Sequence, residues 1–219
     1  MYRLSVKIAV VGATGPTGQE VVSQALARGH EVVAYVRRPD ALNNSANLKV
    51  FEGQLANVQS MAQAFESCDV VVCTLGTRSF KERNFMSTNL PFVTSAMKAA
   101  GIDRIILMSA LGGGKIPGKA NWFSKRIFGF MSKYIFGDRT FSELALSKTG
   151  LQWSAVYPAF LTIGPKLDDP DVVDMENVIN VWGMQISRAT VASVILDLAE
   201  DTSKPSRRVA VAAKGKIKY

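Results

Sequence analysis

Hydrophobic positions along the chain switch repeatedly between a continuous apolar run and a helical spacing. Val6 to Val11 is apolar apart from Lys7 and stops at a glycine, which predicts a buried strand. Thr17 to Arg28 carries Val21, Val22, Ala25 and Leu26 on one helical face, with Gly29 just past its end. Strands are predicted over Glu31–Val36, Leu48–Phe51, Asp69–Leu75, Arg104–Ser109, Gln152–Tyr157 and Arg208–Ala212. Helices are predicted over Val58–Ser67 behind an Asn57 N-cap, Met86–Ala100 closed by Gly101, Phe141–Lys148, and Ser187–Ala199 with Ser187 as its N-cap. Repeated β–α units predict an α/β fold, a doubly wound parallel sheet with helices on both faces, as a single domain over residues 1–219. Leu111–Asp138 and Ala159–Ile186 show no clear period. Each follows the carboxyl end of a strand, where such sheets take ligands, so 111–138 and 159–186 read as substrate-side insertions.

Composition narrows the class. Of 219 residues 47% are hydrophobic and 20% charged, which excludes a disordered chain and a disulfide scaffold. The net charge of +8 points to an anionic partner: a phosphorylated cofactor, nucleic acid or an anionic membrane surface. The one histidine, His30, falls in a turn and reads as exposed, so no metal site and no Ser-His-Asp triad is expected. Cys68 and Cys73 flank one strand, and five residues at about 3.3 Å each hold them about 16 Å apart. That exceeds the roughly 7 Å a disulfide tolerates, so two reduced thiols and a cytoplasmic location are expected. The N-terminus lacks a signal-peptide pattern, and no apolar run reaches the ~18 residues of a membrane span.

The chemistry begins at Gly12-Ala13-Thr14-Gly15-Pro16-Thr17-Gly18, a G-x-x-G-x-x-G turn between the first strand and the first helix. Gly12 permits the turn, Gly15 lets the backbone approach a pyrophosphate, and Gly18 lets the helix sit close to the sheet. Helix-start N–H groups and the Thr14 and Thr17 hydroxyls then bind phosphate oxygens. Some twenty residues on, where NAD binders carry an acid for the ribose, the chain has Arg37 and Arg38. A guanidinium pairs with a 2′-phosphate that an acid would repel, so the cofactor is read as NADPH.

GATGPTG, YVRRP, VVVCTLGTR and AMKAAGIDRIILMSA together resemble the atypical short-chain dehydrogenase superfamily, and within it the biliverdin reductase B and NmrA-like branches. The likeness runs from about residue 6 to 165. It implies that Arg37 meets the 2′-phosphate, that Gln54 and Leu55 flank the adenine, and that Leu75, Gly76, Thr77 and Arg78 line the ribose and pyrophosphate. Met108 and Ser109 on one side, and Pro158, Ala159, Phe160 and Leu161 on the other, would border the nicotinamide. Gln54 departs from the Asp usual at that place. None of Tyr2, Tyr35, Tyr134, Tyr157 or Tyr219 has the Lys four residues on that activates a short-chain dehydrogenase tyrosine as an acid. Arg139 and Phe160 stand where some biliverdin reductase B proteins carry histidines.

Ser109 remains as the candidate catalytic residue, a hydroxyl that hydrogen-bonds but is no strong acid, with a capping role as its simpler reading. A hydride site without an acid disfavours ketone reduction. It suits flavins, bilins and quinones, whose conjugated systems spread the charge after hydride transfer until water supplies a proton. The expected activity is an NADPH-dependent oxidoreductase acting on such a planar acceptor; the alternative is a non-catalytic NADP(H)-binding redox sensor or assembly factor. From Arg104 to Gly137 there is no acid, while six cations and six aromatics gather there. Residues 121–136 read as a lid over a planar substrate, as a surface docking on a membrane or protein partner, or as core on one face with solvated lysines on the other. No nucleic-acid module is present, and a monomer is slightly favoured.

Overall fold

The computed structural model describes residues 5–42, 45–77, 82, 84–111, 137–181, 185–203 and 206–219. The three readings of residues 121–136, and Arg78, lie outside the described residues.

An eight-stranded sheet forms the centre. Its strands are β1 (Lys7–Val11), β2 (Glu31–Val36), β3 (Leu48–Glu52), β4 (Val70–Cys73), β5 (Arg104–Met108), β6 (Gln152–Pro158), β8 (Asp171–Asp174) and β11 (Arg208–Ala212). They lie in the order β3-β2-β1-β4-β5-β6-β11-β8. All neighbours run parallel except β8, which pairs antiparallel with β11 at the edge. The order reverses between β1 and β4, so the ligand crevice of this topology opens above their carboxyl ends.

The central strands are apolar on both faces because both faces are covered. Along β1 and β4, Ile8, Val10, Val70 and Val72 face one core, and Ala9, Val11, Val71 and Cys73 the other. The first core is closed by α1 (Pro16–Ala27) and α5 (Arg188–Glu200). The second is closed by α2 (Val58–Phe65), α3 (Phe85–Ala99) and α4 (Gly137–Ser147). Predicted caps form as read: Asn57 Oδ1 accepts from the Ser60 N–H at 3.1 Å, and Ser187 Oγ accepts from the Thr190 N–H at 3.2 Å. Both cysteines are buried and neither is in a disulfide.

Two expectations change. Residues 159–186 were expected to lack regular structure, yet they hold β7 (Phe160–Thr162), β8, a 3-10 turn at Met175–Asn177 and β9 (Asn180–Val181). β7 pairs with β10 (Gln185–Ser187), and β9 with β12 (Ile217–Lys218). These pieces of two to four residues are too short to display a period, and their partners are remote in sequence. His30 was read as exposed and is 1% exposed. Its Nδ1 accepts from the Val6 N–H at 3.3 Å, and its Nε2 lies 3.0 Å from Glu200 Oε1, so a partner on α5 draws it into the seam between α1 and α5.

Candidate functional site

The parallel register delivers the glycine loop and the ends of β4, β5 and β6 to one edge: Val11 pairs with Cys73, Cys73 with Leu107, and Met108 with Val156. At that edge Gly12 has φ +91°, a left-handed conformation that side chains resist, and a Cβ there would sit 2.9 Å from Thr74 Oγ1. Thr74 Oγ1 in turn donates toward Val11 O and Gly12 O, at 3.3 and 3.2 Å. A Cβ on Gly18 would run into Gly12 O and stand 2.8 Å from Ala13 Cα. Gly18 therefore seats α1 against its own loop rather than directly against the sheet. The Gly15 N–H donates to Gly12 O at 3.0 Å, closing the turn.

No side chain caps α1 and no acid occupies its first turn, so its leading N–H groups keep an electropositive opening. Thr14, Gly15 and exposed Pro16 border the opening, and Thr17 behind them is 4% exposed. This cradle fits a dinucleotide pyrophosphate. Arg37 and Arg38 follow β2 and are exposed. Gly53 N–H donates to Val36 O at 2.9 Å, which sets exposed Gln54 and half-buried Leu55 beside the arginines. Tyr35, in the core below, donates to Gln54 O at 3.1 Å. Past β4, Leu75 is buried and Gly76 and Thr77 are exposed. Past β6, Pro158 is buried, Ala159 and Leu161 are half-buried, and Phe160 is 47% exposed.

Ser109 has company that the sequence reading missed. Its backbone N–H continues the sheet onto Val156 O at 2.8 Å, and its Oγ donates to Glu143 Oε1 at 2.5 Å. Tyr157 donates to the other carboxylate oxygen, Glu143 Oε2, at 2.6 Å. No acid adjoins Ser109 in the sequence; α4 brings the Glu143 carboxylate to it as a hydrogen-bond acceptor rather than a proton donor. Asp138, in the first turn of α4, accepts from the Met86 and Ser87 N–H groups at 2.7 and 2.8 Å, so its carboxylate caps α3. That anchor sets the height at which Glu143 meets the sheet. Burial is the main cause that raises the Tyr157 hydroxyl above the ordinary tyrosine range, and the Glu143 charge adds to it. A signal was present: Tyr157 directly follows the apolar pair Ala155 and Val156, and a buried phenol demands a partner.

A recess of about 530 Å³ lies elsewhere, beside Trp153, Asp174, Met175, Glu176 and Arg208 near the amino ends of β6 and β11. Arg207 spans it to Asp174 at 2.9 Å. It is remote from the glycine loop and shares no residue with the edge described above.

Comparison with known proteins agrees with this geometry. An uncharacterised chloroplastic protein of Arabidopsis thaliana is 27% identical over 217 residues, covering 90% of this chain and 74% of that protein. A photosystem II assembly factor of Synechocystis is 29% identical over 119 residues, 51% of this chain and 36% of the factor. An isoflavone reductase homologue of Lupinus albus is 28% identical over 46% of this chain, which spans about a third (35%) of it. Among solved structures, the anaerobilin reductase ChuY of Escherichia coli superposes with a TM-score of 0.76 at 22% identity, over 97% of this chain and 100% of that one. A short-chain dehydrogenase/reductase of Veillonella parvula in complex with NADP does so with 0.75 at 19% identity, over 98% of both chains. The family model described as NAD(P)H-binding matches residues 12–202. That match covers most of the chain, which therefore belongs to the NAD(P)H-binding family.

Proposed function

We propose that the chain is an NADPH-dependent reductase that passes hydride to a planar conjugated acceptor, a flavin, bilin or quinone, as biliverdin reductase B does. The observation that carries the reading is the wiring of Tyr157. Its hydroxyl donates to a carboxylate and is held above the ordinary tyrosine range. A carbonyl-reducing tyrosine needs the opposite, a neighbouring cation that lowers its pKa so that it protonates an alkoxide. A conjugated acceptor needs no such acid.

When bound, NADPH supplies the hydride from its nicotinamide ring. Gly12, Thr14, Gly15, Pro16, Thr17 and Gly18 receive the pyrophosphate, with Thr17 acting through its backbone. Arg37, with Arg38 beside it, pairs with the 2′-phosphate and selects NADPH over NADH. Gln54 and Leu55 flank the adenine; Leu75, Gly76, Thr77 and Arg78 line the ribose. Met108, Ser109 and Pro158–Leu161 border the nicotinamide, where exposed Phe160 offers a flat face to the acceptor. Holding donor and acceptor face to face is the main contribution of the protein, and water returns the proton. The chain works as one domain, with 111–138 and 159–186 forming its substrate side, in the cytoplasm.

The test is NADPH consumption by the purified protein on addition of FMN, riboflavin, a quinone or biliverdin. Turnover with at least one supports the reading; none with any of them favours a non-catalytic NADP(H)-binding sensor or assembly factor. The similarity to a photosystem II assembly factor supports that second reading.

A further inference from the structure

Each hydroxyl at the end of β5 and β6 has one proton and two lone pairs. Ser109 commits its proton to Glu143 Oε1 and Tyr157 commits its own to Oε2, one carboxylate oxygen each. A carboxylate has no proton to give back, so the direction of both bonds is fixed. Ser109 and Tyr157 are each only 3% exposed, which leaves little water to compete for the same protons. Helix α4 is pinned by the Asp138 cap, so the carboxylate is held rather than free to swing away.

We propose that Glu143 is a positioning residue that sets the hydrogen-bonding sense of the hydride-transfer end of the site: by taking the protons of Ser109 and Tyr157 it leaves their oxygens as acceptors, and the ligand group that fits there is an N–H donor. The proposal rests on the reductase reading above and narrows its substrate class. N–H donors come from two sources, the carboxamide of the nicotinamide and the imide or lactam N–H of an isoalloxazine or bilin. A quinone presents only carbonyl oxygens, which would set lone pair against lone pair, so flavins and bilins are favoured over quinones.

The experiment has one arm for each source. Calorimetry compares NADPH with its acetylpyridine analogue, in which a methyl ketone replaces the carboxamide. Steady-state kinetics compares KM for riboflavin with KM for N3-methylriboflavin. In wild type one of the two ratios favours the N–H form by about five- to tenfold, the effect of one hydrogen bond. Glu143→Leu frees both hydroxyl protons to turn outward, and that ratio falls to within about twofold of one. If this variant fails to fold, Glu143→Gln, which keeps the shape and offers one hydroxyl a donor, reads the same ratio. A wild type indifferent in both arms, or a ratio that survives both substitutions, overturns the proposal. The calorimetric arm needs no turnover, so a protein that binds NADPH but reduces nothing would sink the reductase reading and leave this one standing or falling on its own ratio.

Discussion

Arg37 stands exposed where β2 ends, and its charge is the cheapest feature of the site to invert. Arg37→Glu replaces attraction to a 2′-phosphate by repulsion. A charge-assisted contact of about 1.5–3 kcal/mol corresponds to roughly 10- to 150-fold weaker NADPH binding, with NADH little changed. Calorimetry checks it, and equal affinities of wild type for the two cofactors would refute it. Ser109→Ala is expected to lower flavin reduction by less than about 10²-fold, below the usual cost of losing a general acid. Cys68 gives a pH dependence. Burial pushes its thiol from 9.0 up to about 11. The folded state therefore holds this proton more tightly than the unfolded chain. The stabilisation is complete below pH 9 and lost as the pH rises through 11. Urea melts of wild type and Cys68→Ala at pH 8 and pH 11 should show the gap between them narrowing on the alkaline side; a constant gap would rule it out. At this scale the turn of the glycine loop was legible because it depends on local sequence, down to the left-handed Gly12. Glu143 was not, because its partners lie 34 residues before it and 14 after it, on different strands.

Among the elements, α4 packs on the second core through Leu146 and is tied to the start of α3 by one carboxylate. Asp138 takes the second and third N–H groups of α3, while Asn84, the residue at the cap position itself, makes no side-chain cap bond. Asp138→Ala should cost about 1–2 kcal/mol, the range for a lost N-terminal cap. It should also loosen Glu143, so the preference for N–H ligands would fall with it. A thermal melt combined with the cofactor-analogue ratio measures both, and a stable protein with an unchanged ratio would show that α4 is held by packing alone. Ser187 has a comparable double duty: it caps α5 while its hydroxyl donates to Pro165 O at 2.8 Å, tying the 163–167 loop to that helix. The long elements were readable because each buries a whole face with its own period. The stretch from 159 to 186 was opaque because its strands are short and owe their conformation to partners such as β11 and β12.

Across the whole molecule, the two ends of the sheet divide the labour. The carboxyl edge gathers the glycine loop, the arginines and Ser109; the opposite edge closes the seam between α1 and α5. There Arg28 pairs with Glu200 at 2.7 Å and Asp197 at 2.8 Å, while Gln24 donates to Ala189 O at 2.9 Å. Glu200 also meets His30 at 3.0 Å, so one nearly buried carboxylate serves two bases. Removing it leaves His30 without its carboxylate partner and Arg28 with Asp197 as its remaining carboxylate. Glu200→Ala should cost about 2–3 kcal/mol, less than a fully buried pair because Arg28 is partly wetted. For a chain of this size that lowers Tm by about 5–10 °C. Affinity for NADPH should survive, since the cradle lies at the other edge; a parallel loss of both would mean that the two edges are coupled.

The histidine in that seam has a practical consequence. The sequence holds one imidazole, and the fold buries it. Its ring carbon protons therefore give the only histidine signals in a proton magnetic resonance spectrum. Their shift reports, without label or mutation, whether the α1–α5 seam is shut or has opened to water. A ligand that tightens the carboxyl edge without moving those signals would leave the seam uninvolved, whereas a displaced resonance on adding NADPH would reveal strain carried across the full depth of the sheet.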